Sequence, residues 1–224
     1  MILYILVEGD TEARILPSWL KKIAPQLSEN NRAQTKKDNS YYLFNARGFP
    51  SIIFQHLPNA IEEVNNLGFY DYLVVLFDVD TESVEERMQA ALENLLKEGK
   101  ELKQGELVFC LPNCCIETWF LGNRKLFKRN PQNPRLREMV SFYNVNRQDP
   151  ENMDSPSQFD GERQQFHKAY FKLLARERMM AYRESNPGQT RSSEFLQQLI
   201  DRHQETGQLS TFGKFYNFFD QLPQ

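Results

Sequence analysis

A chain of 224 residues, 40 % hydrophobic and 25 % charged, is long enough for one α/β domain with an extension and has the composition of a folded globular protein. No apolar run approaches the ~20 residues that span a bilayer, and no basic stretch of a signal peptide precedes the first apolar run, so a cytoplasmic protein without a membrane partner is expected. The formal net charge of −3 hides an asymmetry: residues 1–117 carry 18 Asp and Glu against 11 Lys and Arg, net −7, and residues 118–224 carry 12 against 16, net +4. An acidic half followed by a basic half suits a cation site beside a phosphate-binding surface.

Ile2–Val7 is a continuous apolar run closed by Gly9, the pattern of a strand buried on both faces. Residues 11–27 place Ile15, Leu16, Trp19, Leu20 and Ile23 at helical spacing. Residues 28–39 are polar and read as a loop, and Tyr41–Asn45 as a short strand. Residues 51–67 read as a helix capped by Gly68, with Pro58 predicting a kink or a split. Tyr72–Phe77 is a second strong strand and ends in Asp78-Val79-Asp80. A helix over 83–97, a strand over 106–111 and a helix starting at Ile116 follow. This alternation predicts an α/β fold: a mainly parallel sheet of about four strands with helices on both faces. Past Leu121 the texture changes. Residues 144–160 read as a long or mobile loop, residues 164–183 and 193–206 as helices, and the aromatic tail 212–222 as a docking helix whose Phe212, Phe215, Phe218 and Phe219 join the core or form a dimer contact. The expected division is a metal-binding domain over 1–125 and a mostly helical, basic extension over 126–224 packed on it.

In a parallel sheet, functional groups gather at the carboxyl ends of the strands. Those ends supply Glu8, with Glu12 on the next helix turn, then Asp78 and Asp80, then Glu117. Glu8 and Glu12 are four apart, the spacing of one helix face, and Asp78 and Asp80 two apart, the spacing of one side of an extended chain. Taken singly, each is an ordinary acid of a helix start or a turn; Asp10 and Glu82 are read as helix-start acids outside the cluster. Together they repel unless protons or a cation intervene. Oxygen donors without Cys or His favour Mg²⁺ or Mn²⁺, as one ion or two, and this is the arrangement used for phosphodiester chemistry.

The three cysteines, Cys110, Cys114 and Cys115, are a poor disulfide framework, and His56, His167 and His203 are scattered, so buried reduced thiols are expected rather than zinc. Residues 118–137 hold Arg124, Lys125, Lys128 and Arg129 with no acid among them, a candidate phosphate-contacting segment or a solvated loop. Lys125 is the candidate for stabilising transition-state charge. Lys168, Lys172 and Arg176 lie at i, i+4, i+8 and read as an exposed helix face, and Ser185-Asn186-Pro187-Gly188 as a turn able to approach phosphates. Trp119 and Phe120 are expected in the core.

A strand ending in Glu8-Gly9, a β-α-β-α order and a strand ending in Asp78-x-Asp80 resemble the TOPRIM domain over roughly residues 1–125. Glu12, four residues after Glu8, gives the chain the look of the OLD-type TOPRIM nucleases and of small stand-alone TOPRIM-like proteins from bacterial defence loci. The resemblance implies a Mg²⁺-dependent nuclease acting on DNA or RNA, with Glu8, Asp78 and Asp80 at the catalytic metal and Glu12 as the additional acid. No GxxxxGK[ST] loop occurs, so an ATPase in such a system is expected as a separate subunit. Two other readings fit the same residues. One is a non-catalytic module binding nucleic acid or a partner ATPase. The other is a phosphotransferase or phosphohydrolase of small nucleotides.

Overall fold

β1 (Ile2–Val7) is buried along its whole length because both of its faces are covered. In the computed structural model, which describes residues 1–223, β1 lies at the centre of a five-stranded sheet of order β2-β3-β1-β4-β5. The other strands are β2 (Ser28–Asn30), β3 (Ser40–Asn45), β4 (Tyr72–Leu76) and β5 (Glu106–Phe109), and every pairing is parallel. The helices are α1 (Asp10–Ile23), α2 (Leu57–Leu67), α3 (Val84–Lys97), α4 (Ile116–Phe120), α5 (Pro134–Phe142), α6 (Arg163–Glu177), α7 (Ser193–Thr206) and α8 (Ser210–Asp220).

The period of two along β1 divides the core. Leu3, Ile5 and Val7 face α1 and the C-terminal helices, while Ile2, Tyr4 and Leu6 face the side of α2 and α3. Helices therefore cover both faces, as alternation of strands and helices predicts. On the first side Trp19 of α1 meets Phe120 at 6.2 Å and Phe212 at 6.1 Å, edge to face. Trp119, Phe120, Phe212, Phe215 and Phe219 are all fully buried, so both the α4 aromatics and the α8 tail belong to the core. One cluster runs from Leu3 to Leu222, and the packing crosses residue 125 without a break.

Two expectations need correction, the loop over 28–39 and the end of the helix over 164–183, while the split near Pro58 and the long irregular segment over 144–160 are as expected. The sheet has a fifth strand, β2, inside the segment read as a loop: Ser28, Glu29 and Asn30 pair with β3 through the backbone, and an edge strand of polar residues carries no hydrophobic alternation. The helix expected over 51–67 splits into a π-helical turn (Ile52–His56) and α2, with Pro58 in the first turn of α2, where its missing N–H is not needed. α6 stops at Glu177 instead of running to Arg183, and Met179, at φ 55°, turns the chain back. The segment 144–160 is pinned. Glu151 is 3 % exposed and accepts hydrogen bonds from Thr211 N–H (3.1 Å) and Ser210 Oγ (2.9 Å), a carboxylate at the N-terminus of α8.

Candidate carboxylate cleft

The carboxyl ends of β1 and β4 lie side by side, with Val7 opposite Leu76. The next residues past these ends open a cleft of about 770 Å³ whose walls include Glu8, Glu12, Asp78, Glu117, Arg47 and Lys168. Glu8, Glu12, Asp78 and Glu117, from three strand ends, thus meet in one place, as the parallel sheet predicts, and Asp10, read as outside the cluster, and Glu184 line the same cleft.

Local hydrogen bonds aim each acid. Glu8 Oε2 accepts from Asp78 N–H at 3.0 Å, which ties the two strand ends together. Asp78 Oδ1 accepts from Ile116 N–H at 3.1 Å, at the open N-terminus of α4. Glu12 Oε2 accepts from Gly9 N–H at 3.1 Å, so Glu12 closes the first turn of α1 and lines the cleft at once. Gly9 caps the helix with extended backbone, φ −145°; its value here is room, since a Cβ would stand 3.3 Å from Glu12 Oε2. Asp10 is the first helical residue rather than the cap, and accepts from Asn45 Nδ2 at 2.9 Å. Glu117 is 1 % exposed; its Oε1 accepts from the Tyr182 hydroxyl at 2.7 Å, and its Oε2 is buried without any donor.

Electrostatics follow from burial. Desolvation is the first cause that raises the pKa of Asp78, Glu8 and Glu12, and neighbouring carboxylates add to it. Glu12 is pushed up from 4.5 to about 7. Burial also opposes the charge of half-buried Lys168, but Glu117 and Asp78 outweigh it and hold its pKa above the ordinary lysine value.

Several expected site residues stand elsewhere. Asp80 does not line the cleft. The backbone after Asp78 is not extended: Asp80 sits at φ 56°, so the period-two argument fails, and its carboxylate lies 3.7 Å from Arg87 Nη2. Lys125 is exposed on a short 3-10 turn (Arg124–Leu126) beyond α4 and is absent from the cleft walls. Of the other basic residues in that segment, Arg124 pairs with Glu205 at 3.4 Å, Lys128 with Glu177 at 3.0 Å, and Arg129 is exposed. The cations on the cleft wall are Arg47 and Lys168, and the i, i+4 stripe had placed Lys168 on a solvated face. Its helix packs against α4, and the sequence holds no local sign of that contact. Tyr182, the donor to Glu117, was missed for the same reason, whereas Ser185 of the expected phosphate turn does reach the cleft wall.

Beside the acids, Cys114, Cys115 and His167 bring their ligand atoms within 4.8 Å of one another, the one such group among the described residues. All three side chains are buried. His167 is already satisfied. Its Nε2 faces the Met153 carbonyl at 3.0 Å and must donate, which leaves Nδ1 to accept from the Thr118 hydroxyl at 2.7 Å. The group is a hydrogen-bonded tie between α4 and α6, consistent with reduced buried thiols.

Fold and cleft together define an α/β protein with an acid-lined site at the carboxyl edge of a parallel sheet. Residues 7–206 match the family described as Domain of unknown function (DUF4276), and the chain belongs to that family. No curated protein and no solved structure matches it.

Proposed function

We propose that the cleft binds a divalent cation and hydrolyses phosphodiester bonds, most simply as a Mg²⁺- or Mn²⁺-dependent nuclease with a TOPRIM-type site. One observation carries the reading: Glu8, Glu12, Asp78 and Glu117 converge on one cleft with a single lysine facing them, and a buried oxygen of Glu117 has no donor. Buried acids at this density must take up protons or a cation. The donor set fits a hard cation, because every candidate ligand is a carboxylate oxygen.

When bound, the cation supplies neutralisation of the carboxylates and polarisation of a phosphoryl oxygen. The chain's own groups do the rest. Glu8, anchored by Asp78 N–H, is placed to accept the proton of an attacking water. Lys168 holds positive charge against the developing charge on phosphorus oxygens, the role that the sequence had offered to Lys125. Tyr182 fixes one oxygen of Glu117 and leaves the other, buried, without a donor among the described residues.

The test is cleavage of plasmid, single-stranded DNA and RNA with Mg²⁺, Mn²⁺ or EDTA. Asp78→Asn keeps an acceptor for Ile116 N–H and removes the charge. It is expected to lower cleavage on the order of 100-fold or more with the fold intact. Equal activity in that variant would sink the assignment. Metal-induced stabilisation without cleavage of any substrate would favour the non-catalytic module.

A further inference from the structure

Away from the cleft, two adjoining hollows share Arg129 and Val140. The larger, about 510 Å³, is walled by Arg124, Arg147 and Phe127, and the smaller, about 280 Å³, adds Arg137. No Asp or Glu among the described residues lines either. Arg129, Arg137 and Arg147 are exposed and form no ion pair among the described residues. Arg124 has one, to Glu205, at a partly exposed position where such a pair contributes little.

Beneath them lies Arg202, 1 % exposed, with no carboxylate at ion-pair distance among the described residues. Its guanidinium donates to the carbonyls of Gly122 (3.1 Å), Val145 (2.7 Å) and Gln148 (2.7 Å). Those carbonyls fix the chain just before Arg124 and on both sides of Arg147. The buried cation therefore shapes the trough and adds its charge from below. Five guanidinium groups with one carboxylate contact leave a positive potential that anions from outside must balance. Guanidinium forks match phosphate oxygens, and Phe127 with Val140 supplies an apolar wall between them on which a base can lie.

We propose that this arginine trough binds the phosphate backbone of a nucleic acid, as an anchor set apart from the carboxylate cleft. The inference rests on the nuclease reading for its purpose, since it states where the substrate is held. α6 gives the scale. Lys168 stands at the cleft, and Glu177, nine residues on, receives Lys128 Nζ beside the trough. Nine helical residues span about 14 Å, or roughly four nucleotide steps at 3.4 Å each. A short nucleic acid therefore covers that length.

Binding is read by fluorescence anisotropy in EDTA, with labelled 30-nucleotide single-stranded DNA, double-stranded DNA and single-stranded RNA, so that no cleavage is involved. The Arg129→Gln/Arg147→Gln variant removes two exposed side chains that make no ion pair, and an unchanged melting temperature checks its fold. The expected result is at least tenfold weaker binding and a log–log salt slope shallower by about two. Unchanged affinity and slope, or no binding of any of the three by the parent chain, overturns the trough. Hydrolysis of bis(p-nitrophenyl) phosphate with Mn²⁺ is measured alongside. If hydrolysis persists while the variant binds nucleic acid like the parent, the trough falls and the cleft stands. If hydrolysis is absent while the variant loses binding, the cleft falls and the trough stands.

Discussion

Glu12 carries the residue-scale argument, because it is both a helix-closing acid and a cleft wall. Burial, then Glu8 and Glu117, raise its pKa from 4.5 to about 7. The folded chain thus holds a proton that the unfolded chain has released across that interval. Its charge costs nothing below pH 4.5, costs progressively more as pH rises through 7, and the full cost is on the order of 3 kcal/mol. Without divalent cations the melting temperature should therefore fall between pH 5 and pH 7.5 by several degrees more in the parent than in Glu12→Gln. Mg²⁺ or Mn²⁺ should raise it more at pH 7.5 than at pH 5. Scanning calorimetry at both pH values checks this, and identical pH profiles for parent and variant would count against it. Glu8 and Asp78 were legible in the sequence because each follows an apolar strand directly, and the end of a parallel strand fixes where the next side chains stand. Asp80 was misplaced because one left-handed residue cancels the strand period, and an aspartate, although it visits that region more than most side chains, is as common in extended turns.

At the scale of elements, local patterns fixed what local forces decide. β1, β4, α1 and α7 were readable because their apolar spacing is written within one element. Contacts between elements were not. The pairing of α4 with α6 joins Thr118 to His167 across 49 residues and turns Lys168, next in sequence, into the cleft. The stripe Lys168, Lys172 and Arg176 gives an orientation only when the partner helix is known. His167→Ala should remove the acceptor of the Thr118 hydroxyl, which keeps only its weaker contacts with Cys115, and one of the two donors to the Met153 carbonyl, which keeps Arg163 Nε at 2.8 Å. The lost imidazole packing and the two lost buried hydrogen bonds together cost about 2–4 kcal/mol. Denaturant unfolding should register that loss as a lower midpoint at unchanged slope. Mn²⁺ should also bind more weakly, because α4 carries Glu117; equal Mn²⁺ affinity in parent and variant would separate the tie from the cleft.

For the whole molecule, the division at residue 125 marks a change in sequence texture, while the packing ignores it. Trp19 of the first helix rests on Phe212 of the last, Trp119 meets Phe212 at 5.6 Å, and Glu151 holds the start of α8. The charge asymmetry was legible and coincides with the acid cleft and the arginine trough, but the continuity of the core was not, since aromatic residues in a tail signal burial without naming their partner. That continuity argues for one cooperative unit. Removing α8 takes Phe212 and Phe215 from both tryptophans and Phe219 from the core beside Phe215, each a loss of about 3–5 kcal/mol by analogy with single truncations, against a usual total stability of about 5–15 kcal/mol. A chain ending at Gly207 should therefore lose the near-ultraviolet dichroism of its tryptophans and all stabilisation by Mn²⁺, although every cleft acid precedes the cut. Retention of a Mn²⁺-stabilised fold in that truncation would show instead that the sheet and its cleft stand without α8.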